Sequence, residues 1–263
     1  MSIVDRAKQA IWKKAGLPHD GKGYVTDSQL NLVAGVTSEM IKGDYDSGSG
    51  QEWLSKIRAI HSSSALVANT FGRWKSIPSQ FTFADISGFS PPSLEAKCHS
   101  GLGGTPPNLD VLLQSSDTVF GIESKFLEPL KLTVPKFAAS YSRNRLPLCE
   151  DAWWSLLERV RQWPPSHLDA AQLIKHYLGL RKQFPDGKKV WLVYLYWRPV
   201  NVADISEYSR HAEDLEKFQS AIEGAESIRF MALDYLELWD SWEKNINMAG
   251  HAKLLKNRYC VEI

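Results

Sequence analysis

Residues 190 to 197, Val-Trp-Leu-Val-Tyr-Leu-Tyr-Trp, form an unbroken apolar and aromatic run. The run falls well short of the roughly 20 apolar residues that cross a bilayer, and its β-branched and aromatic content favours a strand. A strand with no polar alternation is buried on both faces. Lys189 to Trp197 therefore reads as a central strand in a sheet covered from both sides, which makes the chain an α/β protein.

The elements expected around that strand follow from periodicity and turn chemistry. A short amphipathic helix spans Val4 to Ala15. Gly43 to Gly50 (Gly-Asp-Tyr-Asp-Ser-Gly-Ser-Gly) is a loop by composition. Its acids do not make a calcium loop, because the glycines are misplaced and no closing glutamate follows. Apolar residues at helical spacing run from Glu52 to Trp74, with Ser62-Ser-Ser64 marking a break and an N-cap ahead of Ala65. A three-strand meander comes next: Ser93 to His99, Leu109 to Gln114 and Thr118 to Phe126, with a stiff Gly- and Pro-rich turn from Gly101 to Pro107. Helices are expected over Glu150 to Gln162 and Leu168 to Gln183, ahead of the central strand. Beyond it lie a helix from Asp204 to Glu223, a strand from Ser227 to Leu233, and a helix from Leu236 to Asn245.

Charge and composition limit the function. The net charge is only +1, so affinity for nucleic acid has to come from local clusters. Two are visible: Lys131, Lys136, Arg143 and Arg145, and near the C-terminus Lys253, Lys256 and Arg258. No span is long and apolar enough for a membrane, and the start of the chain lacks the apolar stretch of a signal peptide, so a cytoplasmic address is expected. Cys98, Cys149 and Cys260 are the only cysteines. They indicate neither a disulfide framework nor a zinc knuckle, and they are too few for a four-cysteine iron–sulfur cluster. The ten tryptophans belong mostly to the core, with one or two left for stacking on bases.

The chemistry lies in the hairpin. Side chains alternate along a strand, so Asp110 shares a face with Leu112 and Gln114, and Glu123 shares one with Lys125. If the faces coincide, two carboxylates and an ammonium meet at one end of the sheet. Close carboxylates repel unless a positive charge separates them, and a hard divalent cation with oxygen ligands would serve. Lys125 would handle the attacking water, as its base or as an electrostatic stabiliser. It could also simply pair with Glu128. Glu95 falls on the strand next to that of Asp110, where it could form a plain ion pair with Lys97. His176 has no second histidine at metal spacing, so it reads as structural.

Asp110 followed by Glu123-Ser-Lys125 resembles the PD-(D/E)xK motif of the restriction-endonuclease-like nucleases, although Leu109 stands where the motif has proline. Further segments resemble bacterial members of that superfamily: Ser62 to Phe71, Leu94-Glu95, Leu109-Asp110, Ile122 to Phe126 with Glu128 beyond, and Gln172 to His176. The resemblance implies a restriction-endonuclease-like αβββαβ core over about 52–197, a mixed central sheet flanked by helices. Extensions at 1–51 and 198–263 complete a single domain of 263 residues. It also implies a metal-dependent phosphodiesterase, a DNA endonuclease using Mg²⁺-activated water, with Mn²⁺ as a substitute. Asp110, Glu123 and Glu95 would be the metal ligands and Lys125 and Gln172 the other site residues. The different reading is an inactive nucleic-acid-binding or assembly module on the same fold. RNA as substrate, exonuclease chemistry and a homodimer stay open.

Overall fold

The computed structural model describes residues 1–47, 55–103, 107–185 and 187–263. Its sheet contains β1 (Ser93–Lys97), β2 (Asn108–Gln114), β3 (Thr118–Lys125), β4 (Lys189–Tyr196) and β5 (Arg229–Asp234), side by side in that order. β1, β2 and β3 pair antiparallel, as the expected meander. β3–β4 and β4–β5 pair parallel, and each parallel step needs a crossover. The first crossover carries α4 (Asp151–Val160) and α5 (Ala170–Gln183), and the second carries α6 (Ser206–Ala221). With α3 (Ser63–Phe71) ahead of β1, this is the expected αβββαβ order. α1 (Ile3–Ala15), α2 (Ser38–Ser47), α7 (Tyr235–Glu243) and α8 (Ala249–Tyr259) complete the labelled helices.

The sheet separates two apolar cores. On one face Val111, Leu113, Phe120, Ile122, Val193 and Leu195 pack against α1, α2, α3, α7 and α8. On the other, Val119, Val190, Leu192 and Tyr194 meet α4, α5 and α6. β4 therefore contributes alternate residues to both cores, which is what its uninterrupted apolar run anticipates. Leu109 departs from the expected pattern. It is buried, but in the core of α4 and α5 and not in that of Val111 and Leu113. Trp74, Trp153, Trp197, Trp239 and Trp242 are all fully buried.

Several boundaries differ from the sequence expectation. Residues 43–47, read as loop, are the last turn and more of α2. Ile41 and Tyr45 lie one turn apart on the face turned to the core, and the Tyr45 hydroxyl donates to the Ser64 carbonyl at 3.0 Å. That burial outweighs the weak helix propensity of glycine, aspartate and serine. The helix expected from Glu52 begins in residues 52–54, with Trp53 and Leu54, outside the described residues. Helix α3 starts only at Ser63, where the Ser62 hydroxyl caps it by accepting from the Ala65 amide at 3.1 Å. Gly104, Thr105 and Pro106 of the expected tight turn also lie outside the described residues.

Two of the three residues in the basic C-terminal cluster, Lys256 and Arg258, prove to be structural. The cluster belongs to the unanticipated α8, where the Arg258 guanidinium is buried against Asn31 and the Ala15 carbonyl. Lys256 is paired with Asp240 and Glu243. Among the described residues no helix is long and apolar enough to cross a membrane.

Candidate active site

Register places the candidate acids in one row across three adjacent strands. Leu94 pairs with Val111 and Ala96 with Leu109, so Glu95 falls opposite Asp110. Val111 pairs with Ile122, so the next position brings Asp110 opposite Glu123. All three line one cleft of about 580 Å³ together with Lys125 and Gln172. The cleft opens beyond the carboxyl end of β3, beside the parallel pair β3–β4, a usual place for a ligand site in a sheet of this kind.

Each acid is held differently. The Asp110 carboxylate accepts from the Ser124 backbone amide at 2.7 Å, the middle residue of the Glu-Ser-Lys triplet. The Ser124 hydroxyl in turn meets the Tyr235 hydroxyl at 2.6 Å, which fastens the motif strand to α7. Glu95 takes a positive φ of 50°, uncommon for a residue with a β-carbon, and its carboxylate accepts from the Asn108 side-chain amide at 3.3 Å. Glu123 is buried at 1% exposure. Lys125 Nζ donates to Glu123 Oε1 and, at 2.7 Å, to Gln172 Oε1. Lys125 is thus committed to Glu123 and Gln172, with Glu128 acting on it only through its charge.

Helix α5 supplies the facing wall. Asp169 caps it by accepting from the Gln172 amide at 2.9 Å. Gln172 and His176, four residues apart, then share the face turned to β3. His176 Nε2 stands 2.7 Å from Glu123 Oε2, but off the line of a well-formed N–H···O bond, so Glu123 Oε2 has no donor among the described residues. His176 is the site residue that the sequence reading set aside. Its signal was the spacing from Gln172, not any second histidine.

The helix lies close to the sheet because residue 179 is glycine. A β-carbon there would fall 2.5 Å from the Cys98 carbonyl oxygen and 2.7 Å from its sulfur. Gly179→Ala should push α5 outward at a cost of about 1–3 kcal/mol, and so displace Gln172 and His176. Thermal unfolding checks this, with a fall of roughly 2–4 °C expected per kcal/mol for a chain of this size. An unchanged melting temperature would show that α5 has slack against β1.

Electrostatics divide the acids. Burial, then Glu123, raise the pKa of Asp110 well above the ordinary carboxylate range, Glu95 adds to this, and Lys125 offsets only part of it. Burial also disfavours the Glu123 carboxylate, but Lys125 and His176 outweigh it and hold its pKa down to about 2. For Lys125, burial is overcome by Glu123, Glu128 and Asp110, and its pKa rises. Of the two roles open to it, base or electrostatic stabiliser, this favours the second: its neighbours keep Lys125 an ammonium. A row of three acids facing one ammonium has room for more positive charge. Among the described residues no group of three or more His, Cys, Asp and Glu side chains is placed to hold a metal ion. The donor set is the carboxylate pair Asp110 and Glu123, in which Glu123 Oε2 faces His176 without a well-formed hydrogen bond. Such a pair suits Mg²⁺, which is bound by one or two carboxylates and keeps much of its water.

A family model described as restriction endonuclease associating with ARP matches residues 6–260. The chain belongs to that family. No curated protein and no solved structure matches it. Membership in the restriction-endonuclease family agrees with the fold derived above, a mixed five-stranded sheet flanked by helices, and points to a nuclease. The family's description carries the association with ARP as well as the endonuclease.

The basic residues sort themselves around this cleft. Of the run from Lys131 to Arg145, only Lys131 lines it. Arg143 is engaged with Asp151 and the Cys149 carbonyl, and Arg145 borders a separate pocket beside Leu178 and Lys182. Lys8, Lys56 and His61, which the sequence reading did not single out, line the cleft too.

Proposed function

We propose that the chain is a divalent-metal-dependent DNA endonuclease. The observation that carries this reading is the row Glu95, Asp110 and Glu123 across three adjacent strands, with Lys125 fixed beside it. Asp110 and Glu123 would hold Mg²⁺, or Mn²⁺ in its place, with Glu95 the further acid of the row. When bound, the ion would polarise a phosphoryl oxygen and lower the pKa of water.

The chain's own groups supply the remainder. Lys125, kept protonated by Glu123, presents its ammonium to the negative charge that develops on the phosphate in the transition state. Gln172 Oε1 holds that ammonium in place, so no reorganisation is needed at the moment of reaction. Ser124, through its backbone amide, fixes the orientation of Asp110. His176 flanks the buried side of Glu123 and limits its swing.

Supercoiled plasmid incubated with the purified full chain and Mg²⁺ should be nicked and linearised, and EDTA should stop the reaction. Lys125→Ala should slow cleavage on the order of 10²–10³-fold, the usual cost of losing one donor to transition-state charge. Cleavage that persists in EDTA, or survives Lys125→Ala in the same preparation, would remove this site from the reaction.

A further inference from the structure

The cleft is also lined by a second group of residues that the cleavage chemistry above does not use. It is basic, and it is assembled from separate stretches of chain. Lys8 comes from α1 and Lys131 from the segment beyond β3, while Lys56 and His61 come from the residues ahead of α3. Lys8 and Lys131 line the same cleft as His61, and after burial the charges of these two ammonium groups hold its pKa down, to about 4. His61 is therefore neutral at physiological pH. Trp12 Nε1 donates to its Nδ1 at 3.0 Å, so the imidazole proton sits on Nε2. Lys8 and Trp12 lie one turn apart on α1, on the half-buried flank beside Ala7 and Ile11. Among the described residues, neither Lys8 nor Lys131 is in an ion pair.

Two ammonium groups lining one cleft without an ion-pair partner leave positive charge there uncompensated. Their placement makes sense if an anion completes the group. Lysine is a point charge on a flexible stem and reads phosphate, not base identity. We propose that Lys8, Lys131 and His61 form a phosphate-positioning wall that grips the DNA backbone beside the scissile phosphate. The N-terminal helix, outside the αβββαβ core, is thereby part of the substrate site. This rests on the nuclease reading of the same cleft. Lys8 and Lys131 each neutralise one backbone phosphate, and His61 contributes a neutral N–H.

The test measures binding apart from cleavage. Full-length Glu123→Gln protein without divalent metal is titrated with a short labelled DNA duplex over a series of salt concentrations. Adding Lys8→Ala or Lys131→Ala should each flatten the slope of log affinity against log salt by about 0.9, the value for one lost phosphate contact on duplex DNA. His61→Gln should weaken binding without changing the slope, because a neutral group releases no counterion. Lys253→Ala, on the exposed face of α8, should change neither. In the wild-type background, Lys8→Ala and Lys131→Ala should raise KM and spare kcat. Unchanged slopes for Lys8→Ala and Lys131→Ala, an equal change for Lys253→Ala, or no binding even at low salt would each overturn the wall. Lysine-dependent binding without any cleavage would instead uphold the wall and remove the endonuclease reading.

Discussion

Replacing Glu123 with alanine should abolish cleavage and destabilise the protein at the same time. Its carboxylate is almost fully buried, and one oxygen takes the Lys125 ammonium. Lys125 has only 12% of its side chain exposed. Without Glu123 it keeps its hydrogen bond to Gln172 but loses the charge that compensates its own. Breaking a buried pair by removing one member costs about 3–5 kcal/mol, because the other charge is stranded. For a chain of this length that corresponds to roughly 2–4 °C of melting temperature per kcal/mol. Glu123→Gln keeps the shape and an acceptor for Lys125, so it should lose less stability while still losing cleavage, on the order of 10³-fold. Melting curves and plasmid cleavage on the same preparations decide the matter. A destabilised Glu123→Ala that still cuts DNA would make Glu123 a structural residue only.

Asp110→Asn should have the opposite effect on stability and the same effect on activity. Burial and the neighbouring Glu123 both work against an ionised Asp110. Asparagine removes the charge and can still accept from the Ser124 amide. A gain of about 0.5–2 kcal/mol is expected, the size seen when a strained functional group is relieved. The sign with pH follows from the raised pKa. An acid whose folded pKa lies above its unfolded value of 3.8 contributes stability fully below that value, and loses it as pH rises through the folded value. Asparagine never ionises and loses nothing, so its advantage over wild type should be largest at neutral pH and shrink on acidification. Glu123 runs the other way: its pKa near 2 contributes stability above its ordinary 4.5 that is lost as pH falls toward 2. The comparison therefore belongs at pH 5 and above, where Glu123 stays ionised. Mg²⁺ should raise the melting temperature of wild type and not of Asp110→Asn, since a ligand stabilises only the state that binds it. A less stable Asp110→Asn, at every pH and without metal, would mean that the Asp110 charge is well compensated.

The parts of this protein that were legible in its sequence are those set by local pattern. The hairpin of β2 and β3 was readable because apolar residues alternate around a short polar turn, and its register followed from the pleat. Ser62 was readable as a cap because serine at that position competes for a free amide. The losses came from contacts between distant segments. Helix α2 exists because Ile41 and Tyr45 reach a core that the composition of residues 43–47 does not reveal. Arg258 looked like surface charge until Asn31 and Ala15, from the other end of the chain, closed over it. The site shows the same division. Asp110, Glu123 and Lys125 share a hairpin, so their meeting in one cleft was legible. His176 required knowledge of how α5 lies against β3, and Lys8 had to be carried to Lys131 by the packing of α1. The positive φ of Glu95 has no sequence signal, since the residue type gives no hint of it.

The row of acids also crosses the sheet from its edge toward its middle, and this gives its members unequal freedom. β3 is bonded along both sides, to β2 and β4, and β2 is likewise enclosed by β1 and β3. Separating Asp110 from Glu123 means tearing ladders out of the interior, an opening that approaches global unfolding in cost. Glu95 is on β1, which has a sheet neighbour on one side only, and its backbone already departs from the extended form. Local fraying of β1 can move it without disturbing the other two. The cleft thus has a fixed half, as durable as the fold itself, and an adjustable third acid that can approach or withdraw while the molecule stays folded.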